Sequence, residues 1–393
     1  MFVRNAGFEM KKIYLDYAAT TPVRPEVIDA MTRVMQEVSG NPSSIYTTGR
    51  LAGFRLTRAR DAVAAGLGVP GSELIFTSGG TEADNLALKG LALANLHTGR
   101  HIITSRVEHK AVLASCEWLT ALGFEITYLP TDPYGLVAPE SLREALRPDT
   151  ILVSLIWVNN ELGSINPILA LGEIAHEQGV IFHTDAVQAF GKISIDPANL
   201  PVDALSLSAH KISGPKGVGA LWLRKGINLK PLVGGGTQEN NLRGGTENLA
   251  GIIGFGKAVE LMSAEFDETT QRENTLLGEL EARLQNIPGI RVNTPPLNRA
   301  PNILNVSVPD VDGESLFMNL DIAGVEVSNG SACTSGAQQP STVLTAIGLP
   351  KDLAQSTLRV SLGRETTREE LYSFVDILTR EVHKLKKTRK AGA

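Results

Sequence analysis

Four polar clusters follow short apolar runs, each where a strand would hand over to a turn or a helix. Ser78-Gly79-Gly80-Thr81 comes after ELIFT, and Asn159-Asn160-Glu161 after ILVSLIWV. Asp185 and Gln188 follow VIFHT, while Ser208, His210 and Lys211 close DALSLSAHK ahead of Gly214-Pro215. Glycines at a helix start leave backbone N–H groups free, which suits a phosphate. A carboxyl directly after a buried strand is costly unless it is paired, so Asp185 is expected to meet a cationic group. A lysine between two apolar strands suits a residue that must hold a ligand in one place. Each cluster also has a plainer reading. The glycines form a turn with Thr81 as N-cap, the asparagines form another turn, and Asp185 caps the next one.

Taken together, the clusters describe a ligand with a phosphate (Gly80, Thr81, Ser208), a protonated ring nitrogen (Asp185) and an aldehyde able to condense with Lys211. Pyridoxal 5′-phosphate has all three, and its role as electron sink requires a carboxylate at the ring nitrogen and a lysine partner. His109, at the start of the helix after HIITSRVE, suits stacking or proton transfer, with ordinary capping as the competing role. Cys333 lies in SNGSACTSGAQQPS, where small and turn-forming neighbours indicate an accessible loop. A nucleophilic thiol needs that exposure together with an electropositive neighbour. Cys116, within HKAVLASCEWL, reads as a packed, inert thiol.

Other chemistries are excluded. GIIGFGKA has glycine and lysine spacing like a P-loop, but lacks the Ser/Thr for magnesium and follows a helical segment. No GxGxxG follows a strand. Two cysteines outside any CxxC pair, and seven histidines without HExxH spacing, give no resident metal site and no disulfide framework.

The elements that must position these groups alternate. From about Glu73, β-branched runs (ELIFTS, HIITS, EITYLP, TILVSLIWV, VIFHTDA, DALSLS, GALWLR) are separated mostly by amphipathic helical stretches. Fully apolar strands between helices indicate a mostly parallel sheet covered on both faces. A long helical stretch from about Leu249 to Leu284 is expected to link to a smaller α+β domain containing NILNVSV, TLRVSL and the helix TREELYSFVDILTREVHKL. The 393 residues suit two domains. Residues 16–260 form the expected large ligand-binding domain, and 1–15 with 261–393 the small domain carrying the cysteine loop. A formal charge of −5 argues against nucleic acid as the main partner. No apolar run approaches the roughly 20 residues of a membrane span, and the N-terminus lacks a signal-peptide pattern. The cytoplasm is the expected compartment.

SLSAHKISGPKG, TSGGTEADNLAL, VNNELGSINPI, HTDAVQAFGK, RGGTEN and SNGSACTSG closely resemble the cysteine desulfurases of the NifS/IscS-like group, within the class V aminotransferase superfamily. LDYAATTPVRPEV and RVSLGRETT extend the resemblance over nearly the whole chain in one order. It implies an α/β aminotransferase-like large domain and a homodimer that releases L-alanine from L-cysteine and leaves the sulfur as a persulfide on Cys333. Lys211 would be the Schiff-base lysine, Asp185 would face the ring nitrogen, and His109 would stack on the ring and take part in proton transfer. Asn160 and Gln188 would contact the ring edge. Gly80, Thr81, Ser208 and His210 would hold the phosphate, with Thr246 reaching in from the second subunit. Arg359 would clamp the substrate carboxylate, with Asn41 and Asn160 at the same end. A sulfur-acceptor protein such as an iron–sulfur scaffold, or thio-cofactor and tRNA thiolation routes, would take the sulfur, and Cys333 would be a transient iron–sulfur ligand.

Three positions depart from the group's pattern. Tyr46 stands where relatives commonly carry His, Asn241 where glycine is usual, and SGAQQPS where an acidic segment usually follows the cysteine. Rival readings are a selenocysteine lyase or aminotransferase of the same fold, and a non-catalytic scaffold homologue.

Overall fold

The computed structural model describes residues 12–329 and 341–391, with side chains through residue 387. The chain opens with β1 (Ile13–Tyr14), α1 (Pro25–Glu37), α2 (Thr47–Ala65), β2 (Leu74–Thr77), α3 (Gly80–Ala94) and β3 (His101–Ser105). It continues through α4 (Lys110–Ala121), β4 (Glu125–Leu129), α5 (Pro139–Ala145), β5 (Thr150–Ile156), α6 (Ile168–Glu177) and β6 (Ile181–Asp185). Next come β7 (Ala204–Ser208), β8 (Gly219–Leu223), α7 (Leu249–Ala264), α8 (Phe266–Leu284), β9 (Arg291–Val292) and β10 (Ile303–Ser307). The last elements are α9 (Gly313–Ile322), β11 (Val325–Glu326), β12 (Ser328–Asn329), α10 (Thr342–Ala346), α11 (Lys351–Gln355), β13 (Thr357–Ser361) and α12 (Arg368–Ala391).

Seven strands form one sheet in the order β2-β8-β7-β6-β5-β3-β4. Its pairs are parallel except those of β8, which runs antiparallel to both β2 and β7. Strands β5, β7 and β8 are buried along their whole length, as expected where helices cover both faces. Two apolar clusters flank the sheet, one around Val153, Phe182, Trp222 and Phe255, the other around Leu88, Ile102, Leu119 and Leu221. Cys116 packs into the second, and burial, followed by the charge of Glu108, pushes its thiol up to about 12. That burial fits the packed thiol its helix position suggests.

A second, antiparallel sheet has the order β12-β13-β10-β9, with its own core of Leu304, Val306, Leu358, Val360 and Phe374. Residues 12–24 join this unit to the large sheet. β1 pairs with β11, and the backbone then bridges from Asp16 to Ser361 before reaching Thr21, whose N–H donates to the His210 carbonyl.

The expected single helix over Leu249–Leu284 is two helices. The break falls at Glu265 (φ −111°, ψ 7°), whose carboxylate takes ion pairs from Arg24 and Arg364. Asn241 adopts φ 65°, the left-handed conformation that asparagine tolerates better than most residues.

Candidate active site

The carboxyl ends of β5, β6 and β7 and the N-terminus of α3 enclose a cavity of about 320 Å³. Its wall includes Gly80, Thr81, His109, Asn160, Asp185 and Gln188. Ser208, His210, Lys211 and Arg359 complete the groups expected from the sequence. Ligands in open α/β sheets bind at this edge.

Gly80 explains how α3 reaches the sheet. A Cβ there would lie 2.6 Å from Val187 Cγ2 and 3.6 Å from Ser208 Cβ, so only glycine allows the first turn to approach so closely. Gly79 precedes it at φ 155°, ψ −179°, a region held almost entirely by glycine. The N-cap is thus Gly79, not Thr81. The amides of that first turn have no intrahelical acceptors and carry the positive end of the helix dipole. Beside them the Ser208 hydroxyl is buried with no partner. His210 bonds Thr20 Oγ1 through Nδ1 at 3.2 Å, and burial, followed by the nearby Lys211 charge, lowers its imidazole to about 4.

Lys211 ends the short turn after β7, and its Nζ donates to the carbonyls of Ala18 (2.6 Å) and Ala19 (2.7 Å). Neither acceptor is charged. Burial, then the Arg359 charge, lower the ammonium to about 8, against weaker support from Asp185 and Asp16. Gln188 Nε2 donates to the same Ala18 carbonyl at 2.8 Å.

Asp185 closes β6, and its Oδ1 accepts from Val187 N at 2.9 Å, so it caps the following turn as well as lining the cavity. Burial raises its carboxyl, while His109, the Val187 N–H and Lys211 pull it back. His109 is both cap and wall, for Nδ1 accepts from Ala111 N at 3.1 Å at the start of α4. That bond engages Nδ1 and leaves Nε2 as the nitrogen available to a ligand. The two asparagines divide the expected roles. Asn159 is the turn former, donating to Val107 O and accepting from Glu161 N and Leu162 N. Asn160 lines the cavity with its Oδ1 buried and unpartnered.

Arg359 comes from β13 of the second sheet. Nη1 donates to Asn160 O at 2.9 Å and Nη2 to Asp16 Oδ1 at 2.6 Å, leaving Nε buried without a partner. Asn41 and Thr246 are both exposed and do not line this cavity. The Asn41 Oδ1 accepts from Ser43 N. Cys333 lies outside the described residues. Sequence reasoning missed Asp16 and Asp84. Each sits inside a quoted motif, LDYAATTP and TEADNLAL, but no spacing distinguishes it as a site residue.

Four residues of the wall, Asp84, Asn160, Ser208 and Arg359, thus carry buried polar atoms without partners. Each such atom costs about 1–3 kcal/mol, so the cavity is built for a polar ligand. The residues fit pyridoxal 5′-phosphate, with an amide-rich helix start and a free hydroxyl for a phosphate. A carboxyl lies on one side and a lysine of lowered basicity on another.

Residues 13–374 match the family described as Aminotransferase class-V. The chain is 50% identical over 380 residues to the cysteine desulfurase IscS of Dictyoglomus turgidum, covering 96% of each chain. Among solved structures, a NifS-like protein superposes with a TM-score of 0.90 at 38% identity, over 95% of this chain and 100% of that one. SspA in complex with cysteine superposes with a TM-score of 0.80 at 38% identity, over 91% and 100%. From the N-terminal strand to the last helix, the chain belongs to the class V aminotransferase family, in the group of the IscS- and NifS-like cysteine desulfurases.

Proposed function

We propose that this protein binds pyridoxal 5′-phosphate in the cavity and removes sulfur from L-cysteine, leaving it on Cys333 and releasing L-alanine. The observation that carries this reading is the meeting of Lys211, Asp185 and Arg359 around one cavity with unpartnered buried polar atoms. The solved complex of the similar SspA with cysteine supports the substrate.

Bound pyridoxal phosphate supplies a sink for the electrons released at the substrate Cα. The protein's residues do the rest. Gly80, Thr81, Ser208 and His210 hold the phosphate, Asp185 faces the ring nitrogen, His109 covers the ring, and Asn160 and Gln188 meet its edge. Arg359 offers the substrate carboxylate its free Nε. Lys211 takes the Cα proton, because an amine lowered to about 8 is neutral in a useful fraction near pH 7–8. The Cys333 thiolate bonds to the substrate sulfur as the Cβ–S bond breaks. The carbon keeps the electron pair, is protonated and leaves as alanine.

Thr246 serves the second subunit of a homodimer in this reading, which fits its exposure away from its own cavity. Residues 16–260 act as the cofactor-binding unit, with 1–15 and 261–393 as the unit that brings Arg359 and Cys333. A cytoplasmic iron–sulfur scaffold, or a thio-cofactor or tRNA thiolation protein, accepts the sulfur.

Addition of L-cysteine to purified protein, with alanine and sulfide measured together, tests the reading. Wild type should form both in the presence of a reductant, and Cys333→Ala should lose sulfide release while keeping the coloured bound cofactor. Sulfide released by Cys333→Ala at the wild-type rate would reject the role of Cys333.

A further inference from the structure

Asp84, on α3, reaches the cavity from beneath. One of its oxygens, the His109 ring and the Asp185 carboxyl all come within 4.8 Å of one another. Its Oδ1 is buried without a hydrogen-bond partner, 3.9 Å from His183 Nε2, and its carboxyl also meets Ser206. Behind it runs a buried polar line across the sheet. Ser154 Oγ on β5 bonds His183 Nδ1 at 2.8 Å, and His183 Nε2 on β6 bonds Ser206 Oγ on β7 at 3.0 Å. Glu108, just before α4, is a third buried carboxyl in the group, paired with Ser105 Oγ at 2.5 Å.

The charges around the two aspartates are unequal. Both carboxyls lie close to the His109 ring. Asp185 also faces the Lys211 ammonium and takes a backbone N–H, whereas Asp84 is acted on by Ser206, Asp185 and Glu108 and by no lysine or arginine. Two buried carboxyls this close do not both ionise. The one beside the Lys211 ammonium keeps the charge, and the other keeps a proton.

We propose that Asp84 is a positioning residue which, as a neutral carboxylic acid, donates its proton toward Asp185 and so fixes the negative charge on the carboxyl that faces the cofactor's ring nitrogen. This role rests on reading the cavity as a pyridoxal phosphate site. Burial, then Asp185, hold the Asp84 carboxyl well above the usual carboxylate range. Burial likewise lowers His183 to about 3, so the imidazole behind Asp84 is neutral and brings no countercharge. A neutral donor also explains why a second acid can sit beside Asp185 without competing for the ring nitrogen.

Asparagine keeps the shape of a protonated aspartate and a donor, and alanine keeps neither. Three measurements on the full chain separate the outcomes. Difference infrared spectra of cofactor-free wild type and Asp84→Asn at neutral pH should show loss of a carboxylic-acid carbonyl band. Dialysis against pyridoxal phosphate should give Asp84→Asn an affinity within about twofold of wild type, and Asp84→Ala an affinity about tenfold weaker. The pH at which the bound cofactor changes its absorbance should stay put in Asp84→Asn and move in Asp84→Ala. No acid band, an Asn variant that moves the absorbance transition, or an Ala variant matching wild type would each overturn the role. Should Asp84→Ala fail to fold, Ser206→Ala takes its place, with an expected loss of about threefold in affinity, and no loss overturns the role. Wild-type protein that binds no pyridoxal phosphate overturns the reading of the site itself. Wild type that binds it while all variants behave alike overturns the role of Asp84 alone.

Discussion

The two cations of the cavity come from different sheets and are held in different ways. Lys211 follows β7 of the large sheet, and its Nζ meets two uncharged carbonyl oxygens contributed by the segment after β1. Arg359 sits within β13 of the second sheet, between the Asp16 carboxylate and the Asn160 carbonyl. Uncharged acceptors and burial let an amine shed its proton, and the charge of Arg359 nearby adds to that pressure. The other cation is a guanidinium, whose rigid fork is engaged by the Asp16 carboxylate and the Asn160 carbonyl. Another lysine makes the contrast plainer. Lys192 is also mostly buried, but its Nζ lies 3.1 Å from the fully buried Glu273 carboxylate, as a structural ion pair would. What matters is the partner each lysine has been given. One cation of the site is built to become a base, and the other to stay a clamp for an anion.

Exchanging the two chemistries is the strongest way to break this comparison. Lys211→Arg keeps a positive charge in place but removes the ability to deprotonate, so alanine formation from L-cysteine should fall at least about a thousandfold. A direct alanine assay at saturating L-cysteine checks it. Activity within tenfold of wild type would mean that Lys211 works only as a charge.

Much of this division was legible in the sequence, and the part that was not has a common cause. Lys211, Asp185, Ser208 and Gly80 could be found because each ends or begins an element, and strand ends in an α/β sheet converge on one edge. The fold class followed from apolar runs long enough to be strands and too apolar to be half-exposed. What the pattern could not give was pairing across long separations. Asp16 and Arg359 are 343 positions apart, yet their side chains meet at 2.6 Å. Asp84 lies on a helix face that looks like any other buried turn. The break at Glu265 escaped for the same reason, since its cause is two arginines from distant segments, Arg24 and Arg364. Thr81 as a cap was a local inference that glycine geometry at Gly79 and Gly80 overrode.

Arg359→Lys sharpens the clamp side. A lysine keeps the charge but loses the fork that engages Asp16 and the Asn160 carbonyl, and with it the Nε left over for the substrate. The substrate carboxylate thus exchanges a directed bond for an undirected charge. KM for L-cysteine should rise roughly 10- to 100-fold while kcat changes by no more than about threefold. Initial rates over a wide range of L-cysteine concentrations give both constants. A fall in kcat with KM unchanged would assign Arg359 to the chemical step instead.

The smallest effect concerns stability, and it isolates the base from the clamp without any substrate. In cofactor-free protein the folded chain holds Lys211 at about 8, below the 10.5 of a free lysine. Between those two pH values the unfolded chain binds more protons than the folded one, so stability from this group rises as pH climbs from about 8 to 10.5. Below about 8 the folded protein must bear a charged amine in the cavity, and that penalty is constant. The full shift sets an upper limit of about 3 kcal/mol, and water reaching an open cavity reduces it to about 1–2 kcal/mol. Lys211→Met should therefore be more stable than wild type by that amount at pH 7, with the gain fading toward pH 10.5. Urea denaturation midpoints at pH 7, 9 and 10.5 follow it. Arg359→Met removes the second cause of that lowering, so its difference from wild type should follow a smaller part of the same fade. If both variants track wild type in parallel across the series, the uncharged carbonyls around Lys211 do not distinguish it from an ordinary buried cation.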